Sequence, residues 1–363
     1  MDRRAAPVRQ LPVAPYADPE MTAAPAPAPT AYVGGLLATD LIEIADLTSD
    51  PGALDGGGWW AVLATFEGAV TGYRFGSVGP SALPVGTGAW RGPADQGWRS
   101  SLDRDGYLRG VGRIREHIKA GDVYQVNLCR LLTAPLGAAA DPWALAHRLA
   151  AGNPAPYQGV LDLGDEWVVT ASPELFLRRD REVLVSSPIK GTTRSSEPFA
   201  DKDFAENIMI TDLVRNDLGR IGRPGSVVVT RLLDREEHPG LAHLVSTVQA
   251  RLAEGVGWTE ILAATFPPGS VTGAPKIRAQ QVISELEPVA RGPYCGAIGY
   301  VDADAGTARL AVGIRTFFTS RAPEGQRLLN FGTGAGITYS SDPQAEWEET
   351  ELKAARLISL AGS

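Results

Sequence analysis

Only five of the 363 residues are lysine (Lys119, Lys190, Lys202, Lys276 and Lys353), against 29 arginines. Cysteine occurs twice, at Cys129 and Cys295, and histidine four times, at His117, His147, His238 and His243. Two cysteines make neither a disulfide scaffold nor a zinc cluster. The scattered histidines form no HxxxH pair. No run of about 18 apolar residues exists, so no membrane span is expected. Positive charge is short as well: the net charge of −8 argues against a broad nucleic-acid footprint. Met1 to Arg9 are basic, but no apolar signal core follows, so secretion is not indicated and a cytoplasmic location is expected. The rest of the composition, 44% hydrophobic and 21% charged, is that of a soluble enzyme or binding protein. In a chain that otherwise uses arginine, each lysine raises the question of what arginine could not do there.

The length allows about two domains, although one large α/β unit can also run this long. Residues 1–30 hold seven prolines among many alanines and read as an extended, flexible leader. Residues 31–102 alternate apolar runs with glycine clusters, as in "GGGWWAVLATFEGAVTGYRFG", and read as strands and hairpins. From residue 103 helices enter. Leu108, Val111, Ile114 and Ile118 predict a helix over Asp103 to Lys119, ended by Gly121. Further helices are expected over Trp143–Ala151, Asp203–Leu218, Trp258–Ala264, Ile277–Leu286 and Pro343–Leu360, with a strand meander over 157–194 and a hairpin around "DADAG". In the helix 203–218, Phe204, Ile208, Leu213 and Val214 are expected mostly inward. Without a clean βαβ alternation, the expected class is α+β, a layered α/β arrangement, rather than a doubly wound sheet.

Several groupings could carry chemistry. Asp203 followed by Glu206 reads locally as a capping box, and the functional alternative is a carboxylate free to ligate Mg²⁺. Gly219 reads as the residue after that helix, with Asp217 and Arg215 paired. In the last helix, Asp342 is the expected N-cap and Pro343 the first helical residue. Glu346, Glu349, Lys353 and Arg356 share one of its stripes, either a solvated face with a Glu349–Lys353 pair or carboxylates presented to a cation. "FPPGSVTGAPK" lacks the spacing of a phosphate loop, and "FGTGAGITY" lacks that of a dinucleotide fingerprint. Both read as tight turns whose N–H groups suit an anion such as a carboxylate. Lys190 in "SSPIKGTTR" is an exposed turn lysine or, with Pro188 and Ile189 beside it, an amine desolvated enough to act as a nucleophile, which arginine cannot do.

These segments, taken in order, resemble the chorismate-utilising enzymes: aminodeoxychorismate synthase component I, anthranilate synthase component I, and the isochorismate and salicylate synthases. The resemblance runs from about residue 104 to 360 and rests on "AGDVYQVNL", "ASPELF", "PIKGTTR", "AENIMITDLVRNDLGR", "HLVSTVQARL", "FPPGSVTGAPKIRAQQVISELEP", "YCGAIGY", "GIRTFF", "GAGI" and "EWEETELKAARL". It implies two facing β-sheets wrapped by helices, with 103–363 as the catalytic unit and 31–102 as a shortened N-terminal region. Members often carry a longer N-terminal region with a tryptophan-binding segment, which cannot be placed here.

Within the family, "PIKGT" resembles aminodeoxychorismate synthase, whereas anthranilate synthases carry "PIAGT". The resemblance then implies that Lys190 attacks C2 of chorismate as the 4-hydroxyl leaves, and that ammonia adds at C4 and expels the lysine. Gln125 stands where the water-adding members carry a lysine base, and a glutamine cannot deprotonate water. Glu206 and Glu349 resemble Mg²⁺ ligands, with Glu346 close by. Glu174 resembles the general acid/base, a role that needs a raised pKa, and His243 the histidine near the reacting face. Tyr294 and Arg315 resemble the groups that hold the enolpyruvyl carboxylate. Gly334 and Gly336 would add backbone donors, Lys353 a charge near the metal, and Thr192 a contact beside the ring. Ammonia would come from a separate glutamine amidotransferase subunit or from solution. The rivals are anthranilate synthase component I, a non-catalytic chorismate-binding or amidotransferase-scaffolding protein, and, on motifs alone, a nucleotide-binding enzyme.

Overall fold

The structure is a computed structural model. It describes residues 28–362 except 87, 95, 96, 165, 195, 239 and 240, so the leader expected over 1–30 lies outside the described residues up to residue 27. Among the described residues, eighteen strands, β1 to β18, and six α-helices, α1 to α6, make up the α+β architecture. All the strand pairs are antiparallel, and hydrogen bonding links them into one ribbon.

One half of the ribbon runs β12 (Val228–His238), β13 (Leu241–Arg251), β10 (Val183–Ser187), β9 (Leu175–Asp180), β16 (Thr307–Val312), β15 (Ala297–Asp302), β3 (Trp59–Ala64), β4 (Val70–Pro80) and β2 (Leu36–Asp46). The other runs β1 (Thr30–Val33), β7 (Tyr157–Asp162), β8 (Trp167–Ser172), β17 (Thr316–Arg321), β18 (Arg327–Ile337) and β6 (Gln125–Pro135). The two sheets implied by the resemblance are therefore continuous at one edge, where the β1–β2 hairpin joins them. Strand pairing also crosses residue 103: β3 lies against β15, and the short β5 (Arg99–Ser100) against β6. Trp59 stacks on Tyr300 at 5.6 Å between ring centroids and supports the β3–β15 pairing.

Two apolar cores flank the ribbon. The larger spans both halves, with Trp60, Val62, Leu177, Leu184, Val248, Ile298 and Leu310 from the first and Val126, Leu128 and Ile337 from the second, and takes in Ile114 of α1 (Arg104–Ala120), Ile210 of α3 (Asp201–Gly219) and Ile261 of α4 (Trp258–Thr265). The smaller packs Trp167, Val169, Phe317 and Phe331 against Leu145 and Leu149 of α2 (Pro142–Gly152) and Leu357 of α6 (Pro343–Ala361).

Helix ends follow the side chains that satisfy them. Asp103 accepts the Gly106 N–H at 2.7 Å to start α1, and Gly121, at φ +82°, closes it. Asp342 caps α6 by accepting the Ala345 N–H at 2.9 Å, with Pro343 next. Helix α3 departs from the expected reading. It begins at Asp201, so Asp203 is the third residue, and its carboxylate accepts the Ala200 N–H at 3.0 Å. Glu206 is thereby left out of the cap. Ile208 is exposed, and the buried face is Asn207, Ile210, Thr211, Val214, Asp217 and Leu218. Gly219 is the last helical residue, Arg215 pairs with Asp212 at 2.7 Å, and Asp217 pairs with Lys276 at 2.7 Å.

The segment "FGTGAG" is strand rather than turn. Gly332, Gly334 and Gly336 sit in β18 opposite Leu131, Cys129 and Asn127 of β6. As alternate residues of a strand they share one face. That face is overlaid by other side chains: a Cβ would lie 2.0 Å from the Tyr294 ring at Gly332, 2.5 Å from Cys129 Sγ at Gly334, and 2.1 Å from Gln125 Nε2 at Gly336. The glycines are there for close approach, not for bending.

Candidate active site

The two halves of the ribbon approach each other at Lys190. Strand β11 (Ile189–Arg194) pairs with β13 through Ile189↔Val245 and Thr192↔His243, so Lys190 and Gly191 form a one-residue bulge. A bulge re-aims a side chain out of the strand's alternation. Gly191 permits it twice over: its φ is +85°, and a Cβ there would lie 2.8 Å from Asp203 of α3. The lysine is thus not an exposed turn residue. Its side chain is 12% exposed, with Nζ 3.9 Å from Glu206 Oε2 and donating to Asn127 Oδ1 at 3.5 Å.

Gln125 and Asn127 reach this point from β6, two residues apart and so on one strand face. Gln125 is fully buried and donates from Nε2 to Glu206 Oε2 at 3.4 Å. Its Oε1 is buried with no hydrogen-bond partner among the described residues, an acceptor aimed where a donor is needed. Gly336 completes the floor, 3.2 Å from Lys190 Nζ at its would-be Cβ.

Glu174 precedes β9 and is buried. Burial pushes its carboxyl up to about 7, while a hydrogen bond with Ser270, the Lys190 charge and the Ile189 backbone oppose the rise. A carboxyl poised there can both give and take a proton near neutrality. The Ser270 hydroxyl belongs to the short turn Gly269–Val271.

Three carboxylates and three lysines share the edge formed by α3 and α6. Glu349 pairs with Lys353 at 2.6 Å and lies 3.9 Å from Lys202. Burial pushes Glu349 up, but Lys353, Lys202 and Lys190 together hold it below the usual range. Glu346 is buried, its Oε1 accepting from Ser341 Oγ at 2.7 Å, and burial aided by Glu349 raises it. Burial pulls Lys202 down, and Glu349, Glu346, Glu206 and Asp203 outweigh it. Lys353 also donates to the Gly334 carbonyl at 3.2 Å, which ties α6 to β18.

Among the described residues, no three His, Cys, Asp or Glu side chains converge into a ready metal cluster. The donor chemistry nonetheless fits Mg²⁺, which takes one or two carboxylates and completes its shell with water and substrate oxygens. Glu206 and Glu349 would be that pair, both within electrostatic reach of Lys202.

The remaining expected residues spread outward. His243 is buried in β13 opposite Thr192, of which only the backbone is described. Tyr294 covers Gly332, four strand residues or roughly 13 Å from Gly336. Burial pushes its hydroxyl far up, with Cys129 and Cys295 adding to the rise. Arg315 sits at φ +51° just before β17, burial holds its guanidinium below the usual value, and no described residue pairs with its side chain. Such a cation calls for an anionic partner. Three residues at the site were not foreseen: Asn127, Ser270 and Lys202. Asn127 was findable, because period-2 alternation puts it beside Gln125; Ser270 and Lys202 carried no signal.

A family model described as chorismate binding enzyme matches residues 88–359. Anthranilate synthase component 1 of Thermus thermophilus is 41% identical over 273 residues, covering 72% of this chain and 57% of that protein. Aminodeoxychorismate synthase component 1 of Salmonella typhimurium is 40% identical over 273 residues, covering 72% and 58%. The chain thus spans a little over half the length of the curated relatives it matches. A putative 2,3-dihydroxybenzoate-specific isochorismate synthase, DhbC, of Bacillus anthracis shares the fold at a TM-score of 0.76 and 20% identity, over 92% of this chain and 96% of that one. Among the described residues, no helix is long and apolar enough to cross a membrane.

Proposed function

This chain belongs to the chorismate-binding enzyme family, and from that premise we propose that it aminates chorismate with ammonia to give 4-amino-4-deoxychorismate. The observation that carries the reading is the bulge at Lys190, which turns the amine in among Asn127, Glu206 and Glu174. Anthranilate synthases carry alanine at that position of the resemblance, and the chemistry assigned to them needs no amine there.

Neutral Lys190 attacks C2 of chorismate. Both ring double bonds shift, C1=C2 to C1=C6 and C5=C6 to C4=C5, and the 4-hydroxyl departs as water with a proton from Glu174. Ammonia then adds at C4, both double bonds shift back, and Lys190 leaves as the C2–N bond breaks. Glu174, now ionised, takes up the proton released by the added nitrogen, so the enzyme ends as it began. A carboxyl titrating at about 7 serves both directions. Arg315 and Tyr294 hold the enolpyruvyl carboxylate, the first as a charged fork, while His243 and Thr192 bound the reacting face. Mg²⁺ would be held by Glu206 and Glu349 with Glu346 close by, supplying neutralisation of the ring carboxylate's charge. Ammonia comes from a separate glutamine amidotransferase, in keeping with the "component 1" names of the relatives. A cytoplasmic location and the use of the product for p-aminobenzoate, destined for folate or a specialised metabolite, belong to the same reading.

The test is incubation with chorismate, Mg²⁺ and an ammonium salt, with products identified by mass spectrometry. The aminated product is expected, together with a chorismate adduct on the protein that Lys190→Ala abolishes. Anthranilate and pyruvate would instead make this an anthranilate synthase component I, whose relatives are equally similar in sequence. No turnover even with a glutaminase partner would favour the scaffold.

A further inference from the structure

We infer that Asn127 is the positioning residue for Lys190: its side-chain amide takes one hydrogen of the lysine amine and so directs the nitrogen lone pair at the substrate carbon. The inference rests on the proposed role of Lys190 as nucleophile.

The amide is locked. Asn127 is 7% exposed on β6, its backbone N–H donates to the Thr272 carbonyl at 2.9 Å, and its own carbonyl accepts from Arg291 Nη2 at 2.9 Å. The side-chain Nδ2 donates to the Ser270 carbonyl at 3.2 Å, which leaves Oδ1 facing Lys190 Nζ at 3.5 Å. Rotating the amide by half a turn would set Oδ1 against the Ser270 carbonyl, two acceptors in contact, with Nδ2 against an amine. The orientation is therefore dictated by Ser270 and not by Lys190.

The choice of an amide matters. A free amine on a four-carbon stem has many rotamers, and an attack from the wrong one is unproductive. An acceptor that holds one N–H removes that freedom. A carboxylate would also hold it, but would favour the protonated ammonium, which has no lone pair. An amide oxygen is a good acceptor without a full charge, so it orients the amine and leaves it able to react. Glu206, the carboxylate proposed for Mg²⁺, also lies within ion-pair reach of the amine at 3.9 Å.

Ser270 adds a second consequence. Its carbonyl anchors Asn127, and Ser270 lines the same small cavity as Glu174. One short turn thereby anchors Asn127 and borders the proton donor.

The experiment compares the unsubstituted chain with Asn127→Ala and Asn127→Asp. Single-turnover mixing with saturating chorismate and Mg²⁺, quenched for mass spectrometry, gives the rate of adduct formation at Lys190; equilibrium titration gives chorismate affinity. Misplacing a nucleophile by about 1 Å costs on the order of 100-fold. Asn127→Ala is expected to slow the adduct about 10- to 100-fold while chorismate affinity and melting temperature stay near the parent's. Asn127→Asp keeps the shape but replaces the donor to Ser270 with an anion, and is expected to be at least as slow. It serves alone should the alanine variant not fold. An adduct rate within about twofold of the parent overturns the inference. So does a parallel fall in affinity or melting temperature, which would make Asn127 a substrate or packing contact. If the unsubstituted chain forms no adduct while the aminated product appears, the proposed role of Lys190 itself falls.

Discussion

At the scale of single residues the site is set by burial acting on charge. Glu174 illustrates it, with a carboxyl at about 7 in the folded protein against an ordinary value of 4.5. The folded state then binds a proton more readily than the unfolded one. The stability that goes with this is fully present below about pH 4.5 and is lost as pH rises through about 7. A difference of that size corresponds to about 3 kcal/mol. Glu174→Gln carries no charge to bury. Its stability relative to the parent should therefore improve by about 3 kcal/mol between pH 4 and pH 8, read from urea unfolding at both, while its amination activity is lost. A gap that does not change with pH would mean that Glu174 is solvated or paired in solution. The residue-scale reading of the sequence reaches residues whose chemistry is written in residue type: Lys190, Glu174 and Glu206 stood out or were supplied by resemblance. It missed Asn127 and Ser270, because their work is done by orientation, which a residue letter does not carry.

At the scale of elements the sequence was legible wherever a cap was present. Asp103 and Gly121 bound α1, and Asp342 with Pro343 opens α6. The face of helix α3 was read in part: Val214 is buried and Leu213 packs on the larger core, but Ile208 is exposed, because the buried side is partly polar. Asn207 donates to the Leu244 carbonyl at 2.8 Å, Thr211 donates to the Asn207 carbonyl at 2.7 Å, and Asp217 meets Lys276, so apolar spacing alone does not mark the whole buried stripe. The last pair has an energetic reading. Burial raises Asp217 and lowers Lys276, so for each partner the loss of water outweighs the attraction of the other. What the pair contributes is position: Lys276 Nζ also donates to the Thr265 carbonyl at 2.8 Å, joining the ends of α4 and α3 to the start of α5 (Lys276–Leu286). Removing one partner strands a buried charge. Lys276→Met is expected to destabilise by about 3 kcal/mol, and adding Asp217→Leu to recover most of it. Chemical denaturation of the two single variants and the double one measures this. A double variant as unstable as the sum of the singles would contradict it.

At the scale of the whole molecule, the mixed α+β class was legible from the missing βαβ alternation, but the ribbon was not. No local pattern indicates that β1 and β2 join two sheets, or that Lys190 on β11 and Gln125 on β6, 65 residues apart in sequence, lie together from the two halves of one hydrogen-bonded path. The glycine row of β18 misled for the same reason. Turns and close packing both select glycine, and only the overlaid Tyr294, Cys129 and Gln125 side chains distinguish them. Closing a ribbon on itself has a thermodynamic consequence. A ligand held by Lys190 from one end, by the β6 end and by Glu349 of α6 is released when either half opens. Its binding energy therefore stabilises both halves together. Chorismate with Mg²⁺ at about 100 times the dissociation constant should add about 2.7 kcal/mol. Calorimetry should show one transition that moves up as a unit, by roughly 4 °C for a chain of this size. With Glu349→Gln, the Mg²⁺-dependent part of the shift should shrink while the transition remains single. Two transitions of which ligand moves only one would mean that the halves are independent and that the site belongs to one of them.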